Sequence, residues 1–216
     1  VLQRCGAAVL CIAASPDGAL LAAGCLDKTV RLWGHRRSSG EAALDWVGFN
    51  GPVTAVAWNA TGELLAACAG TAVLVTDPRA EPKGEPPILC RGTGLPEADG
   101  GAGTCPRLTG LAWCPSRTRA ALLAACTSRG GVLLFDTHLA DFAFPRRCAP
   151  LLLAELAPPG APPGAQLDGF AFATTTRGGR GAEDDDGGLC LVVAAGDRLA
   201  CFDVGALCGP ASSKKK

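Results

Sequence analysis

The chain is poor in the residue types on which catalytic and metal-binding sites depend. It has no methionine and no tyrosine, and among its 216 residues only two are histidines, His35 and His138. No His-x-x-x-His spacing, no phosphate-cradling G-x-x-x-x-G-K-[ST] sequence and no G-x-S-x-G nucleophile motif occurs. We therefore expect no catalytic residue, no metal ligand and no cofactor, and we predict that the chain is not an enzyme.

Net charge and long apolar runs are also missing. Twenty Lys and Arg residues balance twenty Asp and Glu residues, so no overall field draws the chain to nucleic acid or to an anionic membrane. Charges, Gly or Pro interrupt every apolar stretch before the roughly 20 residues that a spanning helix requires. The basic segment 177–181 and the acidic segment 183–186 are predicted to be solvated loops rather than an RNA or calcium site. We predict a soluble chain.

Cysteine is abundant, but it does not follow a metal-binding pattern. The twelve cysteines include no C-x-x-C pair, so the short paired spacing of zinc ligands is absent. Half of them lie inside apolar runs, where a free thiol behaves as a small hydrophobic side chain; these are Cys11, Cys25, Cys68, Cys126, Cys190 and Cys201. We predict reduced cysteines in a core, and hence a reducing compartment, cytoplasmic or nuclear.

What the sequence does contain is an internal repeat that occurs four times. Each copy begins with an apolar segment and a polar turn, at residues 9–18, 53–62, 108–117 and 167–176. A second apolar run follows at 19–24, 64–68, 122–126 and 189–194, and a third at 29–33, 72–76, 132–135 and 198–202. Short runs separated by Gly, Asp, Asn, Ser and Thr predict strands joined by tight turns. A weaker fourth strand fits at 42–47, 88–91 and 151–156.

The first copy carries the clearest motif, with SPDG at 15–18, LAAG at 21–24, DKT at 27–29 and VRLW at 30–33. This order resembles the WD-repeat family of β-propellers, in which each blade is a four-stranded sheet. The resemblance implies that Asp27 lies in a turn and belongs, with Trp33, to a hydrogen-bonded network that includes a histidine. The positions expected to hold that histidine are Cys5, Phe49, Thr104 and Pro163. We therefore expect an incomplete network in every blade, with packing in its place.

The repeat and the resemblance predict an all-β chain, a β-propeller of WD-repeat type with about four blades. The propeller segment is expected to span residues 1–208, with blades near 5–47, 48–91, 104–156 and 163–204, and residues 209–216 to form a disordered tail. Family rings usually have about seven blades, and an open stack exposes sheet faces, so we expect a fragment of a larger ring. The alternative is a closed four-bladed ring in which residues 1–4 pair onto the last blade.

A propeller implies a binding platform, because it presents variable loops on a rigid scaffold. We predict a protein–protein interaction scaffold within a larger assembly, whose partners are proteins or peptides rather than nucleic acid, membrane or small-molecule substrates. In the family layout, the turns between strands two and three share a face with the connections into strand one. The candidate partner-binding residues on that face are Asp27, Lys28, Asn50, Arg107, Arg129 and Asp197.

Blade two leaves a second function open. Residues 49–77, with the loop at 83–86, are similar to propellers found beside CobW-type metal-chaperone GTPase domains. That resemblance implies a regulatory propeller attached to an enzyme whose catalytic part lies outside this chain.

Overall fold

In the computed structural model the chain is built from β-strands that form four antiparallel sheets. The structure describes residues 6–34, 44–46, 49, 51–79, 88–91, 107–137, 151–156, 159–160, 167–174 and 188–204, and fifteen strands are present among them. Each sheet consists of strands that follow one another in sequence, four in each of three sheets and three in the last. We call these sheets blades one to four. The predicted all-β fold with about four blades is confirmed.

The strands agree closely with the runs predicted from the sequence. Blade one contains β1 (Val9–Ala14), β2 (Leu20–Cys25), β3 (Val30–Gly34) and β4 (Leu44–Trp46). Blade two contains β5 (Val53–Trp58), β6 (Leu65–Ala69), β7 (Ala72–Thr76) and β8 (Ile88–Arg91). Blade three contains β9 (Leu108–Trp113), β10 (Leu122–Thr127), β11 (Val132–Asp136) and β12 (Leu151–Leu156). Blade four contains β13 (Gly169–Thr174), β14 (Leu189–Ala195) and β15 (Arg198–Asp203).

Polar side chains close the turns between the first and second strands. In blade one the Ser15 hydroxyl oxygen accepts the Leu20 N–H at 2.9 Å. In blade two the Asn59 Oδ1 accepts the N–H groups of Glu63 and Leu64, each at 3.0 Å. Ser15 and Asn59 are both buried, and a buried polar group needs a hydrogen-bond partner. The polar residues that end the first runs of blades one and two therefore hold these turns in shape.

The first strands of successive blades lie side by side and run in the same direction. Near the start of β5, the Thr54 hydroxyl donates to the Leu108 carbonyl of β9 at 2.9 Å. Near the end of both strands, Trp113 Nε1 donates to the Ala57 carbonyl at 2.9 Å. A matching bond from Trp58 joins β5 to β1. The start of each of these first strands contacts the start of its neighbour, and the end contacts the end. Equivalent turns of the blades therefore lie at the same edge of the molecule.

Three apolar cores lie between successive blades, and small side chains on the second strands bring the sheets close together. β6 and β10 are buried along their whole length, as expected for strands that are apolar on both faces. Gly24 shows how close the approach is, because a Cβ there would lie 2.6 Å from both Cys11 Sγ and Val53 Cγ1. The junction of blades one and two therefore has no room for a side chain at this position.

The outer faces of blades one and four are uncovered. Leu199 of β15 is 78% exposed, whereas Val30, Val73 and Val132, at the same register position in the other blades, are fully buried. Ile12 of β1 is likewise 67% exposed. These side chains argue against the alternative of a closed four-bladed ring, since ring closure buries both positions.

Cys201 departs from the expectation that cysteines in apolar runs are core residues. Four described cysteines are buried, namely Cys25, Cys68, Cys114 and Cys126, while Cys11 and Cys190 are partly buried. Cys201 is exposed because it lies two residues from Leu199 and so shares the uncovered face of blade four.

An ion pair links blades one and two at the edge that holds the turns between first and second strands. The Asp17 carboxylate accepts hydrogen bonds from the Ser15 hydroxyl and the Ala19 N–H, and pairs with Arg79 of blade two. The hydrogen bonds from Ser15 and Ala19, with a smaller effect of Arg79, lower the pKa of Asp17 to about 2, from an ordinary value of 3.8.

The uncovered face of blade four predicts unequal effects of two leucine truncations. Leu133 of β11 is fully buried between blades two and three, so we expect Leu133→Ala to reduce the free energy of unfolding by about 2–5 kcal/mol. Leu199→Ala, in the same strand of blade four, should change it by no more than about 0.5 kcal/mol. Urea unfolding of both variants measures this difference, and equal losses would show that the blade-four face is covered.

The lowered pKa of Asp17 predicts an acid-dependent contribution to stability. Folding favours the ionised carboxylate, so the contribution is fully present above the ordinary pKa of 3.8 and is lost as the pH falls through about 2. The wild-type chain should exceed Asp17→Asn in unfolding free energy near neutral pH, and the gap should shrink between about pH 4 and about pH 2. Urea unfolding across this range is the measurement, and a pH-independent gap would contradict the assignment.

Candidate binding face

One edge of the molecule carries the turns between second and third strands together with the connections into the first strands. Within blade three the Ser128 N–H donates to the Arg107 carbonyl at 2.7 Å, and within blade four the Asp168 N–H donates to the Ala194 carbonyl at 3.0 Å. Five of the predicted partner-binding residues lie at this edge, which we call the binding face: Asp27, Lys28, Arg107, Arg129 and Asp197. The sixth, Asn50, lies outside the described residues.

Asp27 is held within its own turn. Its carboxylate accepts the Thr29 hydroxyl at 2.6 Å and forms an ion pair with Arg31 at 3.0 Å. The Thr29 hydrogen bond, followed by the Arg31 charge, lowers the pKa of Asp27. Asp27 therefore remains an anion at neutral pH, and two neighbouring side chains fix its position at the binding face.

Lys28, next to Asp27, has a backbone conformation that is unfavourable for a side chain. Its φ is 67°, in the left-handed region. The corresponding turns of the other blades use glycine in that region, Gly70, Gly130 and Gly196, with φ of 61°, 80° and 60°. Blade one thus keeps a lysine at the binding face where the other blades have a glycine, at a cost of about 1 kcal/mol.

The binding face carries opposite charges on blades three and four. Arg107 and Arg129 are exposed on either side of Ser128 in blade three. In blade four Asp197 has a side chain that is 98% exposed, and the Arg198 Nε lies 3.9 Å from its carboxylate. Such a distant and exposed pair contributes little to stability, so the Asp197 carboxylate is accessible to a partner.

A cleft of about 420 Å³ opens on the binding face between these two blades. Blade three lines it with Thr109, Gly110 and residues 126–128, and blade four with residues 167–170. The Asp168 carboxylate at its edge accepts the Gly196 N–H at 2.5 Å. Asp168 thus lines the cleft on the side of blade four, and on the side of blade three the lining residue Ser128 is bonded to Arg107 and followed in the chain by Arg129.

Sequence patterns alone do not show this cleft, although the aligned first segments of the repeat differ here. At the second position of these segments stand Leu10, Thr54, Thr109 and Asp168, so only blade four has a charge there. At the next position blades three and four both have glycine, Gly110 and Gly169, where the others have larger residues. At Gly110 the Phe170 ring takes the space of the missing side chain, so the shape of this junction depends on which residues of the two blades meet.

Comparison with known proteins agrees with the architecture. Residues 2–34 match the family model of the WD domain, G-beta repeat, which confirms the resemblance on the blade where the motif is clearest. The chain also resembles a chain in the crystal structure of a mitotic checkpoint complex, with a TM-score of 0.60 and 17% identity. At that identity the likeness shows the fold alone. The first repeat and the four stacked sheets decide the fold: the chain is built of propeller blades, and the first of them contains a WD repeat.

The extent of these matches is uneven. The structural match covers 94% of this chain and 52% of the other, so this chain spans about half the length of the chain it resembles. No curated protein matches the chain's sequence.

The histidine-containing network of WD blades is replaced by other contacts in blade one. Asp27 pairs with Arg31, and within the described residues the buried Trp33 Nε1 has no hydrogen-bond partner. Phe49, at one expected histidine position, is buried in the core between blades one and two. The other three expected positions, Cys5, Thr104 and Pro163, lie outside the described residues. In this WD blade, packing holds Trp33 in place.

The described residues of the four blades contain no cluster of three His, Cys, Asp or Glu side chains that could hold a metal ion. Burial raises the pKa of the Cys68 thiol to about 11, which keeps it protonated and unreactive at neutral pH. In the same part of the chain no helix is long and apolar enough to cross a membrane. His35, His138 and the segments 177–181, 183–186 and 209–216 lie outside the described residues.

The left-handed conformation of Lys28 predicts that glycine is more stable at this position. We expect Lys28→Gly to raise the free energy of unfolding by about 1 kcal/mol over Lys28→Ala, because only glycine adopts this φ without strain. Urea unfolding of the two variants is the measurement. The alanine variant controls for loss of the lysine side chain, and a glycine variant no more stable than alanine would contradict the strained turn.

Proposed function

We propose that this chain is a protein–protein interaction scaffold that recognises proteins or peptides through the binding face. The observation that carries the proposal is the collection of exposed charged residues from three blades at one edge of a rigid stack. A rigid scaffold with variable turns suits recognition, because its backbone loses little freedom on binding. The WD-type fold supports this class of function, which does not require the chain itself to be an enzyme.

The proposal extends to the setting of the chain. We infer that it works within a larger assembly in a reducing intracellular compartment, cytoplasmic or nuclear. None of the seven cysteines whose side chains the structure describes forms a disulfide, and four of them are buried in the cores, which supports a reducing environment. The balance of charge, at twenty residues of each sign, supports protein partners over nucleic acid or anionic membrane.

The alternative, a propeller that regulates an attached enzyme such as a CobW-type GTPase, rests on the sequence of blade two. No feature of the described residues of that blade favours it over a general scaffold, so it stays a prediction from the sequence. A Walker-type motif in an adjoining domain of the same polypeptide is the finding that would support it.

Removing charges from the binding face tests the proposed function. The double variant Arg129→Ala, Asp197→Ala leaves the net charge unchanged and alters two exposed turns, so we expect an intact fold and a clear loss of co-purified proteins. A matched control is Glu63→Ala, Arg117→Ala, which removes one charge of each sign from exposed positions at the opposite edge. Quantitative mass spectrometry of affinity-purified chain is the measurement. Equal recovery of partners by both variants would reject the binding face.

A further inference from the structure

The junction of blades three and four is less tightly closed than the junction of blades two and three. At the latter, the Thr54 hydroxyl donates to the Leu108 carbonyl of the next blade at 2.9 Å, and the Leu108 N–H donates to the Gly70 carbonyl at 2.7 Å. Thr54 and Thr109 occupy the same position, and the hydroxyl of each lies 3.4 Å from a carbonyl oxygen of its own blade, that of Cys68 or Cys126. Among the described residues only Thr54 adds a bond to the next blade, so the junction of blades three and four lacks the bond that closes the one before it.

Gly110 and Phe170 are in close contact at the same junction. Gly110 stands at the register position of Cys11 and Ala55, and a Cβ there would lie 3.0 Å from Cε1 of Phe170 in blade four. The Phe170 ring takes up part of the space that a side chain fills in the other blades. It forms an apolar floor with Gly110 and the buried Cys126, while the exposed Thr109 and Ser128 lie at the mouth.

The two sides of this cleft differ in charge. Blade three places Arg107 and Arg129 beside it, and blade four places Asp168 and Asp197 beside it, all four exposed. A volume of about 420 Å³ accommodates one large apolar side chain together with part of its backbone. The cleft therefore has an apolar floor with a cationic rim on one side and an anionic rim on the other. A segment with an acidic residue, an apolar side chain and a basic residue in that spatial order is complementary to it.

We propose that this cleft is an anchor site for a peptide segment in which an apolar side chain stands between an acidic and a basic residue. The apolar side chain packs on the floor formed by Gly110, Cys126 and Phe170. The acidic residue lies toward Arg107 and Arg129, and the basic residue toward Asp168 and Asp197. This inference rests on the proposed function of the binding face and names the class of segment that one part of that face takes.

Short fluorescent peptides with a central leucine between two glutamates and two lysines test the proposal directly. One peptide has the glutamates before the leucine and the lysines after it, and the other has the reverse order. The pair of peptides measures in which direction the peptide runs through the cleft. By fluorescence anisotropy we expect one order to bind to the full chain. Replacing its leucine by alanine should weaken binding about tenfold or more, since the anchor loses most of its buried apolar surface.

Variants of the cleft locate the binding. Thr109→Phe fills the mouth and should abolish peptide binding, whereas Leu10→Phe, at the same register position of blade one, should leave it unchanged. Asp168→Asn keeps an oxygen that accepts the Gly196 N–H and removes only the charge. It should weaken binding about two- to fivefold, and it serves as the test should Thr109→Phe prove unstable.

The outcomes separate this inference from the proposed function. Failure of both peptide orders to bind, or equal binding to wild type and to both cleft variants, overturns the anchor site. If the Arg129→Ala, Asp197→Ala variant still loses its partners in that case, the binding face stands without the cleft. The anchor site is supported if Thr109→Phe abolishes peptide binding and Leu10→Phe preserves it. This result does not depend on which proteins co-purify with the chain.

Discussion

The burial of small second strands between neighbouring sheets is the constraint on which the rest of this structure depends. Ala and Cys side chains on β6 and β10 are fully or almost fully buried, and at Gly24 even a methyl group is excluded. Sheets in such close contact keep their first strands parallel, and the bonds from Trp58 and Trp113 to the preceding blade fix the alignment. Parallel alignment in turn gathers equivalent turns at one edge, so the binding face follows from core packing.

The same packing explains why one junction differs from the others. Where Thr54 bridges to the next blade, the edge of the stack is closed. Where Thr109 forms no such bridge among the described residues, the edge has a cleft whose floor includes Gly110 and Phe170. Stability tolerates this opening because the core below it, around Leu134, Leu191 and neighbouring residues, remains fully buried. The cleft is thereby separated from the contacts that hold the blades together.

Much of the fold was predictable because the signals for it are local. Short apolar runs and the Ser15 and Asn59 turns specify strands through backbone geometry and nearby hydrogen bonds. The exposure of Cys201 was not predictable in the same way, since it depends on which face of blade four has a neighbour. Asp27 was placed in a turn as the WD resemblance implied, but its pairing with Arg31 follows from the β2–β3 register rather than from the motif.

The sequence by itself determined the strands, their order, the repeat and the residues at the turns, because these depend on periodicity and on side-chain chemistry within a few positions. Only the tertiary structure decided which face of each sheet is covered and where two blades leave space. Those properties depend on pairs such as Gly110 and Phe170, which are distant in the sequence and meet only after the sheets have stacked. Contacts between blades depend on the register of both sheets and on the volumes of the side chains that meet, and the sequence of one strand shows neither.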